Sequence, residues 1–135
     1  MSSDERPLVV VDGANVVGSV PDGWWRDREA AIRRLREALG PVAVAGIGDE
    51  VEPPVDVTLV VEGAARGVES TPNVRVVSAA GAADDTIVDL VAQADPRRRR
   101  VVVTADRELR ERVEALGAEV VGPRAVYPPP HPPPS

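Results

Sequence analysis

Leu8-Val9-Val10-Val11-Asp12-Gly13-Ala14-Asn15 is the stretch that decides how this chain folds. Four aliphatic residues in a row, with no polar alternation, describe a strand covered on both faces, the pattern of a strand inside a parallel sheet. An acid, a glycine and, two residues later, an amide follow it at once. The same grammar recurs outward from this point. Val57 to Val61 reads as a second strand, Val74 to Val77 as a third, Val101 to Val103 as a fourth, and Glu119 to Val121 as a short edge strand. Helical periodicity separates them. It runs from about Arg26 to Leu39 with Ile32, Leu35 and Leu39 inward, and from Asp84 to about Ala94 with Ile87, Val88 and Val91 inward. A third run, from Asp106 to about Leu116, turns Leu109, Val113 and Leu116 inward. Gly40-Pro41, Pro96 and Gly117 supply stop signals. The stretch from Gly13 through Gly18, Pro21 and Gly23 reads as a long loop, and Val42 to Val55 as an irregular connection or a short helical turn. Strands alternating with helices predict an α/β fold with right-handed crossovers and a mostly parallel sheet.

The composition narrows the chemistry. At 135 residues the chain is expected to be one domain over residues 7–127, with a flexible start at 1–6 and a disordered Pro-rich tail at 128–135. There is no Cys, which excludes disulfides, a thiolate nucleophile and a Cys-ligated zinc. The only His, His131, lies in the tail, so no His is expected to act as a base. Every basic residue is Arg, and without Lys there is no Walker A phosphate loop. Chemistry must therefore run on carboxylates, Arg, Asn, hydroxyls, backbone amides or a bound metal. The net charge of −6 argues against a generic nucleic-acid coat protein, yet suits a nuclease whose acidic site contributes that charge. No apolar stretch approaches a membrane span, and the polar, acidic start is unlike a secretory signal, so a cytoplasmic location is expected. The Arg-for-Lys and Ala/Val/Gly bias is that of a GC-rich bacterial genome.

Three acidic stations stand where strands give way to loops or helices: Asp12, the pair Asp84-Asp85, and Asp106. In a parallel sheet all three fall at the carboxyl edge, where open α/β sheets bind ligands. Each has an ordinary structural explanation. Asp12 would accept backbone N–H groups in a turn, Asp84-Asp85 would complement a helix dipole, and Thr104 or Asp106 would cap the last helix. Three such coincidences at one edge point instead to a divalent cation, Mg²⁺ or Mn²⁺, with Asn15 brought beside Asp12 as a further hard oxygen ligand. Asp89, one turn beyond Asp85, reads as a solvated residue.

The segments Val11-Asp12-Gly13-Ala14-Asn15-Val16, Ala83-Asp84-Asp85-Thr86-Ile87-Val88 and Val103-Thr104-Ala105-Asp106-Arg107-Glu108 resemble, in order and spacing, the three signature segments of NYN domains. NYN domains belong to the PIN-like nuclease superfamily. The likeness is greatest to small bacterial YacP-like proteins, extends up to the tail, and is shared in its short motifs with Regnase-type ribonucleases. It implies a doubly wound five-stranded sheet of order 3-2-1-4-5 and Mg²⁺- or Mn²⁺-dependent hydrolysis of RNA to a 5′-phosphate and a 3′-hydroxyl. By position it implies Asp12, Asn15, Asp85 and Asp106 around the metal, with Asp84 adjacent. The base would then be a metal-activated water or an acidic neighbour such as Asp84.

Candidate RNA contacts are Trp24, Arg26, Arg28, Arg66 and Arg107. Trp24-Trp25 reads equally as a stacking platform for bases or as packing of the loop onto the sheet. Glu62 and Arg66 follow the second strand at the same edge and are placed to line the cleft. The run Arg97 to Arg100 precedes the fourth strand, at the opposite edge, and reads as a solvated turn or a distal RNA contact. The alternative to an enzyme is a non-catalytic RNA-binding module with a weak metal site, acting with a protein partner or as a homo-oligomer. A HAD-type phosphatase would need an Asp where Ala14 stands and a Lys that is absent. A dinucleotide-binding Rossmann domain would need G-x-G-x-x-G after the first strand.

Overall fold

The computed structural model describes residues 6–19, 26–65 and 67–127. Strands β1 (Leu8–Asp12), β2 (Asp56–Val61), β3 (Val74–Ser78), β4 (Arg100–Val103) and β5 (Glu119–Val121) form one five-stranded sheet in the order 3-2-1-4-5. Every neighbouring pair is parallel. The central strand is β1, and all of its residues are buried. Helices α1 (Gly13–Gly18) and α2 (Arg28–Ala45) cover one face of the sheet, while α3 (Ala83–Gln93) and α4 (Arg107–Glu114) cover the other.

Why the strands carry no polar alternation follows from these two layers. Successive side chains of a strand point to opposite faces. Val9 and Val11, with Leu59, Val61, Val101 and Val103, pack against Ile32, Leu35 and Leu39 of α2. Val10, with Val60 and Val102, packs against Ile87 and Val91 of α3 and Leu109 and Val113 of α4. Each fully buried aliphatic side chain contributes roughly 1.5–3 kcal/mol of transfer free energy, so both faces of the sheet are needed to hold the fold. Among the described residues no helix is long and apolar enough to cross a membrane.

Three local expectations needed correction. The segment after β1 is not loop from its start: Gly13 to Gly18 is a short helix whose Val16 and Val17 are buried. Gly40-Pro41 does not stop α2, which continues to Ala45 with Pro41 inside it. Proline at that position removes the N–H that would bond to the Glu37 carbonyl. Glu37 and Pro41 are both exposed, so water can satisfy the freed carbonyl, while Leu39 and Ala43 keep their burial on the opposite side. The actual stop is Gly46, at φ 77°, whose N–H bonds to the Val42 carbonyl. Finally, Leu116 is 39% exposed rather than inward, because α4 ends at Glu114.

The Arg97–Arg100 run staples the amino edge of the sheet. Arg97 bonds to Asp95, Arg98 to Asp56 and the Arg6 carbonyl, and Arg99 to Glu119. Arg100 is buried and donates to the Val91 and Arg98 carbonyls. These side chains connect β4 to the starts of β2 and β5 and to the end of α3, on the far side from the acidic stations.

Gly13 is required for lack of space rather than for an unusual backbone angle. A Cβ there would lie 2.7 Å from the Val60 carbonyl oxygen and 3.0 Å from the Ile32 Cδ1. The carbonyl belongs to β2, paired on both sides within the sheet, and cannot move cheaply. Gly13→Ala is therefore expected to cost about 1–3 kcal/mol as an overpacking substitution, seen as a lowered Tm with the far-UV spectrum retained. An unchanged Tm would show that β1 and β2 tolerate separation at this point.

Candidate functional site: an acidic cavity at the carboxyl edge

The register of the sheet sets the site. Leu8 lies opposite both Asp56 and Arg100, and Val11 opposite Val103, so β1 and β4 leave the sheet side by side. Their first residues beyond the shared register, Asp12 and Thr104, meet: the Thr104 hydroxyl donates to Asp12 Oδ2 at 3.0 Å, and both residues are buried. The same hydroxyl oxygen accepts the Asp106 backbone N–H at 3.1 Å. Asn15, one turn into α1, accepts the Ala105 N–H through Oδ1 at 2.8 Å. Two residues after β4, Thr104 and Ala105, are thus bonded to Asp12 at the end of β1 and to Asn15 in α1. Asp106 caps α4, accepting the Leu109 N–H at 3.0 Å.

The exit of β2 contributes Glu62. Its Oε2 accepts the Ala83 N–H at 2.7 Å, which docks the first turn of α3 against the end of β2. Asp84 follows in that turn. Together Asp12, Ala14, Asn15, Glu62, Ala82, Ala83, Asp84 and Asp106 line one open cavity of ≈310 Å³. Four carboxylates and a carboxamide therefore surround a single space.

Of the residues expected around a metal, Asp12, Asn15 and Asp106 line this cavity, and so does Asp84. Asp85 does not. It sits on the exposed side of α3, where its Oδ1 lies 3.1 Å from an Arg112 guanidinium nitrogen; Arg112 also approaches Asp84, at 3.6 Å. Helical geometry turns consecutive residues about 100° apart, so only one acid of the pair faces the cavity. Glu62, read from sequence only as a residue near the cleft, is a lining member and an anchor for α3. Thr104 is not a cap but the hydroxyl that links Asp12 to the start of α4. Its position directly after a buried strand was the available signal.

Arg107 opens α4 beside Asp106 and is exposed, as is Arg26 before α2. Arg28 lines a second, neighbouring cavity. Trp24 and Arg66 lie outside the described residues.

The electrostatics are those of a cluster of like-charged carboxylates. Burial pushes the Asp12 carboxyl above its ordinary value, and the Asp106 and Glu62 carboxylates push it further in the same direction. The Thr104 hydroxyl, and the nearby Asn15 backbone N–H, which does not reach capping geometry, pull it back. All of the donor atoms are hard oxygens, the set that Mg²⁺ and Mn²⁺ take. Among the described residues no three acids lie close enough together to hold a metal ion among themselves.

Two expectations follow. A raised folded-state pKa means that Asp12 binds its proton more tightly folded than unfolded, so its ionisation weakens the fold as pH rises above the unfolded value. Asp12→Asn, which keeps an oxygen to accept from Thr104, should therefore raise Tm at neutral pH, with the gain shrinking as pH falls through the carboxylate range. A lowered Tm at neutral pH would mean that ionised Asp12 stabilises the fold. Thr104→Val should cost about 1–3 kcal/mol, because it removes one donor and one acceptor from buried or partly buried partners. Chemical denaturation would read this loss, and a neutral result would remove Thr104 from the frame of the site.

The arrangement of strands and helices is shared with Rae1 (YacP) from Bacillus subtilis. A crystal structure of a tryptophan-to-leucine mutant of that protein matches with a TM-score of 0.71 at 18% sequence identity, covering 90% of this chain and 72% of that one. No family model and no curated protein sequence matches the chain. At this identity the likeness is one of fold: the chain has the YacP-like, PIN-like α/β fold that its three acidic segments led one to expect.

Proposed function

We propose that this chain is a divalent-metal-dependent ribonuclease working at the acidic cavity. The observation that carries the reading is the convergence of Asp12, Glu62, Asp84 and Asp106, with Asn15, on one space at the carboxyl edge of a nuclease-like sheet. Like-charged carboxylates gathered on one space repel one another, and capping α4 or docking α3 needs only one of them each.

The residues divide the work as follows. Asp12 and Asp106 would hold the cation, Asp12 fixed by the Thr104 hydroxyl and Asp106 by its capping bond to α4. Asn15 fixes the backbone at Ala105 and so sets the distance between these two acids. When bound, Mg²⁺ or Mn²⁺ would acidify water and offset charge on the phosphoryl oxygens. Asp84, half-buried on the cavity wall, would take the proton of the attacking water. Arg112 restrains Asp84 from the solvent side. Attack at phosphorus with loss of the 3′ oxygen would leave a 5′-phosphate and a 3′-hydroxyl.

A second reading, an RNA-binding module without catalysis, is favoured because among the described residues no three acids lie close enough together to hold a metal ion. Cleavage of single-stranded and structured RNA with Mn²⁺, Mg²⁺ or EDTA separates the two. Cleavage should require the cation and fall at least about 10–100-fold in Asp12→Asn and in Asp106→Asn. Asp84→Asn should lower kcat more than it raises KM, whereas Asp85→Asn should leave kcat within a few-fold of the parent. Cleavage that survives EDTA and these substitutions would remove the nuclease assignment from this cavity. Binding without cleavage would establish the second reading.

A further inference from the structure

A separate space lies at the amino edge of the sheet, across the molecule from the acidic cavity. This open pocket of ≈330 Å³ has Asp56, Thr58, Asn73, Arg75 and Arg98 among its walls. The strands assemble its floor. Thr58 of β2 pairs in register with Val10 of β1 on one side and with Arg75 of β3 on the other, and paired residues of a sheet share a face. On that face Val10 is covered by Ile87 and Val91 of α3, whereas Arg75, at the edge strand, is exposed. The turn before β3 makes the outer wall: Ser70 Oγ accepts the Val76 N–H at 2.8 Å, and Thr71 Oγ1 accepts the Val74 N–H at 3.2 Å. We propose that this pocket binds a phosphoryl group, carried by a nucleotide or free as phosphate. Nothing in it depends on the ribonuclease reading.

The polar groups without partners call for an anion rich in acceptors. Thr58 is only 5% exposed, yet among the described residues its hydroxyl has no hydrogen-bond partner. Arg36 Nε is the one wholly enclosed side-chain atom left unbonded among those residues, so the Thr58 hydroxyl opens onto the pocket. A polar group buried to this degree is costly until something bonds to it. Arg75 likewise has neither a side-chain hydrogen bond nor an ion pair among the described residues. Arg98 donates to Asp56 Oδ2 and to the Arg6 carbonyl, which leaves three of its five N–H groups. The acid on the wall does not cancel these donors. Asp56 has Arg98 against one oxygen and Arg6, 3.7 Å away, against the other. Arg6, Arg75 and Arg98 thus surround a single carboxylate, a local excess of positive charge in a chain of net charge −6. A guanidinium fork, a hydroxyl and the Asn73 amide suit the oxygens of a phosphate, which takes paired N–H donors from Arg. The volume lies within the range of small-molecule sites, so a nucleoside has room beside the phosphate.

Amide shifts in ¹⁵N–¹H NMR test the pocket, with EDTA present and ionic strength held constant with chloride. The probes are inorganic phosphate, adenosine 5′-monophosphate and adenosine. Phosphate and the monophosphate should give saturable shifts centred on Thr58, Asn73 and Arg75, and adenosine none. A lower Kd for the monophosphate assigns a nucleotide as the source, and an equal or higher one assigns free phosphate. Arg75→Ala should weaken both ligands about tenfold or more, the worth of hydrogen bonds to a charged group. Thr58→Val should weaken both about 2–10-fold while leaving Tm unchanged or raised, because the hydroxyl it removes bonds to nothing in the free protein. Shifts that never saturate, adenosine binding as well as its monophosphate, or affinity untouched by either substitution would overturn the proposal. So would a lowered Tm in Thr58→Val, which would mean that the hydroxyl already has a partner in the fold.

Discussion

The hydrogen bond from Thr104 to Asp12 is the interaction on which the site depends. It joins the exits of two adjacent parallel strands at the point where their pairing stops, and it is buried. Through the same hydroxyl oxygen it reaches the Asp106 N–H and so fixes where α4 begins. The Asn15–Ala105 bond runs alongside it from α1. With these links made, Asp12 and Asp106 have little freedom left, because each is tied to a secondary-structure boundary rather than to a loop. Sites built on rigid elements hold their geometry better than sites built on loops, and this one is anchored to β1, β4 and α4 together.

Its placement follows from the core rather than from the acids. Asp12 tolerates burial because β1 needs neighbours on both edges and layers on both faces, and Gly13 lets α1 start where any larger residue would strike β2. The cost appears in the raised Asp12 pKa, whose largest cause is burial itself. A carboxylate kept at the end of a fully apolar strand is a departure from local consistency, and such departures are expected where function has overridden stability.

The parallel strands and the acidic stations were legible in the sequence for the same reason, whereas the order 3-2-1-4-5 was implied only by the resemblance to NYN domains. Parallel strands buried on both faces give unbroken Val runs, and the first residue after each run is forced to the ligand-binding edge. What was not legible depended on geometry that a linear pattern does not carry. Asp84 and Asp85 are indistinguishable in sequence, and only the helix phase decides which faces the cavity. Pro41 reads as a stop, yet α2 runs past it because the carbonyl it deprives is solvent-facing and Leu39 and Ala43 still gain burial. Glu62 is one residue beyond a strand with no motif around it, and its role comes from a contact with Ala83, distant in sequence. The basic run was ambiguous until its partners were visible: Asp56, Asp95 and Glu119 are acids that no periodicity pairs with Arg97, Arg98 and Arg99.

Charge distribution then becomes the decisive argument about mechanism. RNA is a polyanion, and the proposed cleavage would bring it against a cavity lined by four carboxylates in a chain of net charge −6. Two like charges about 4 Å apart repel by roughly 4 kcal/mol at the effective dielectric of a protein surface, so a phosphate cannot enter such a space unaided. The Arg97–Arg100 side chains are bonded at the opposite edge of the sheet, and Arg112 is drawn to Asp84 and Asp85. On the proposed reading, a small cation would supply counter-charge inside the cavity. On this reasoning the acids and the RNA do not merely coexist with the metal. Each would bind weakly without it, and cation and substrate should therefore raise one another's affinity reciprocally.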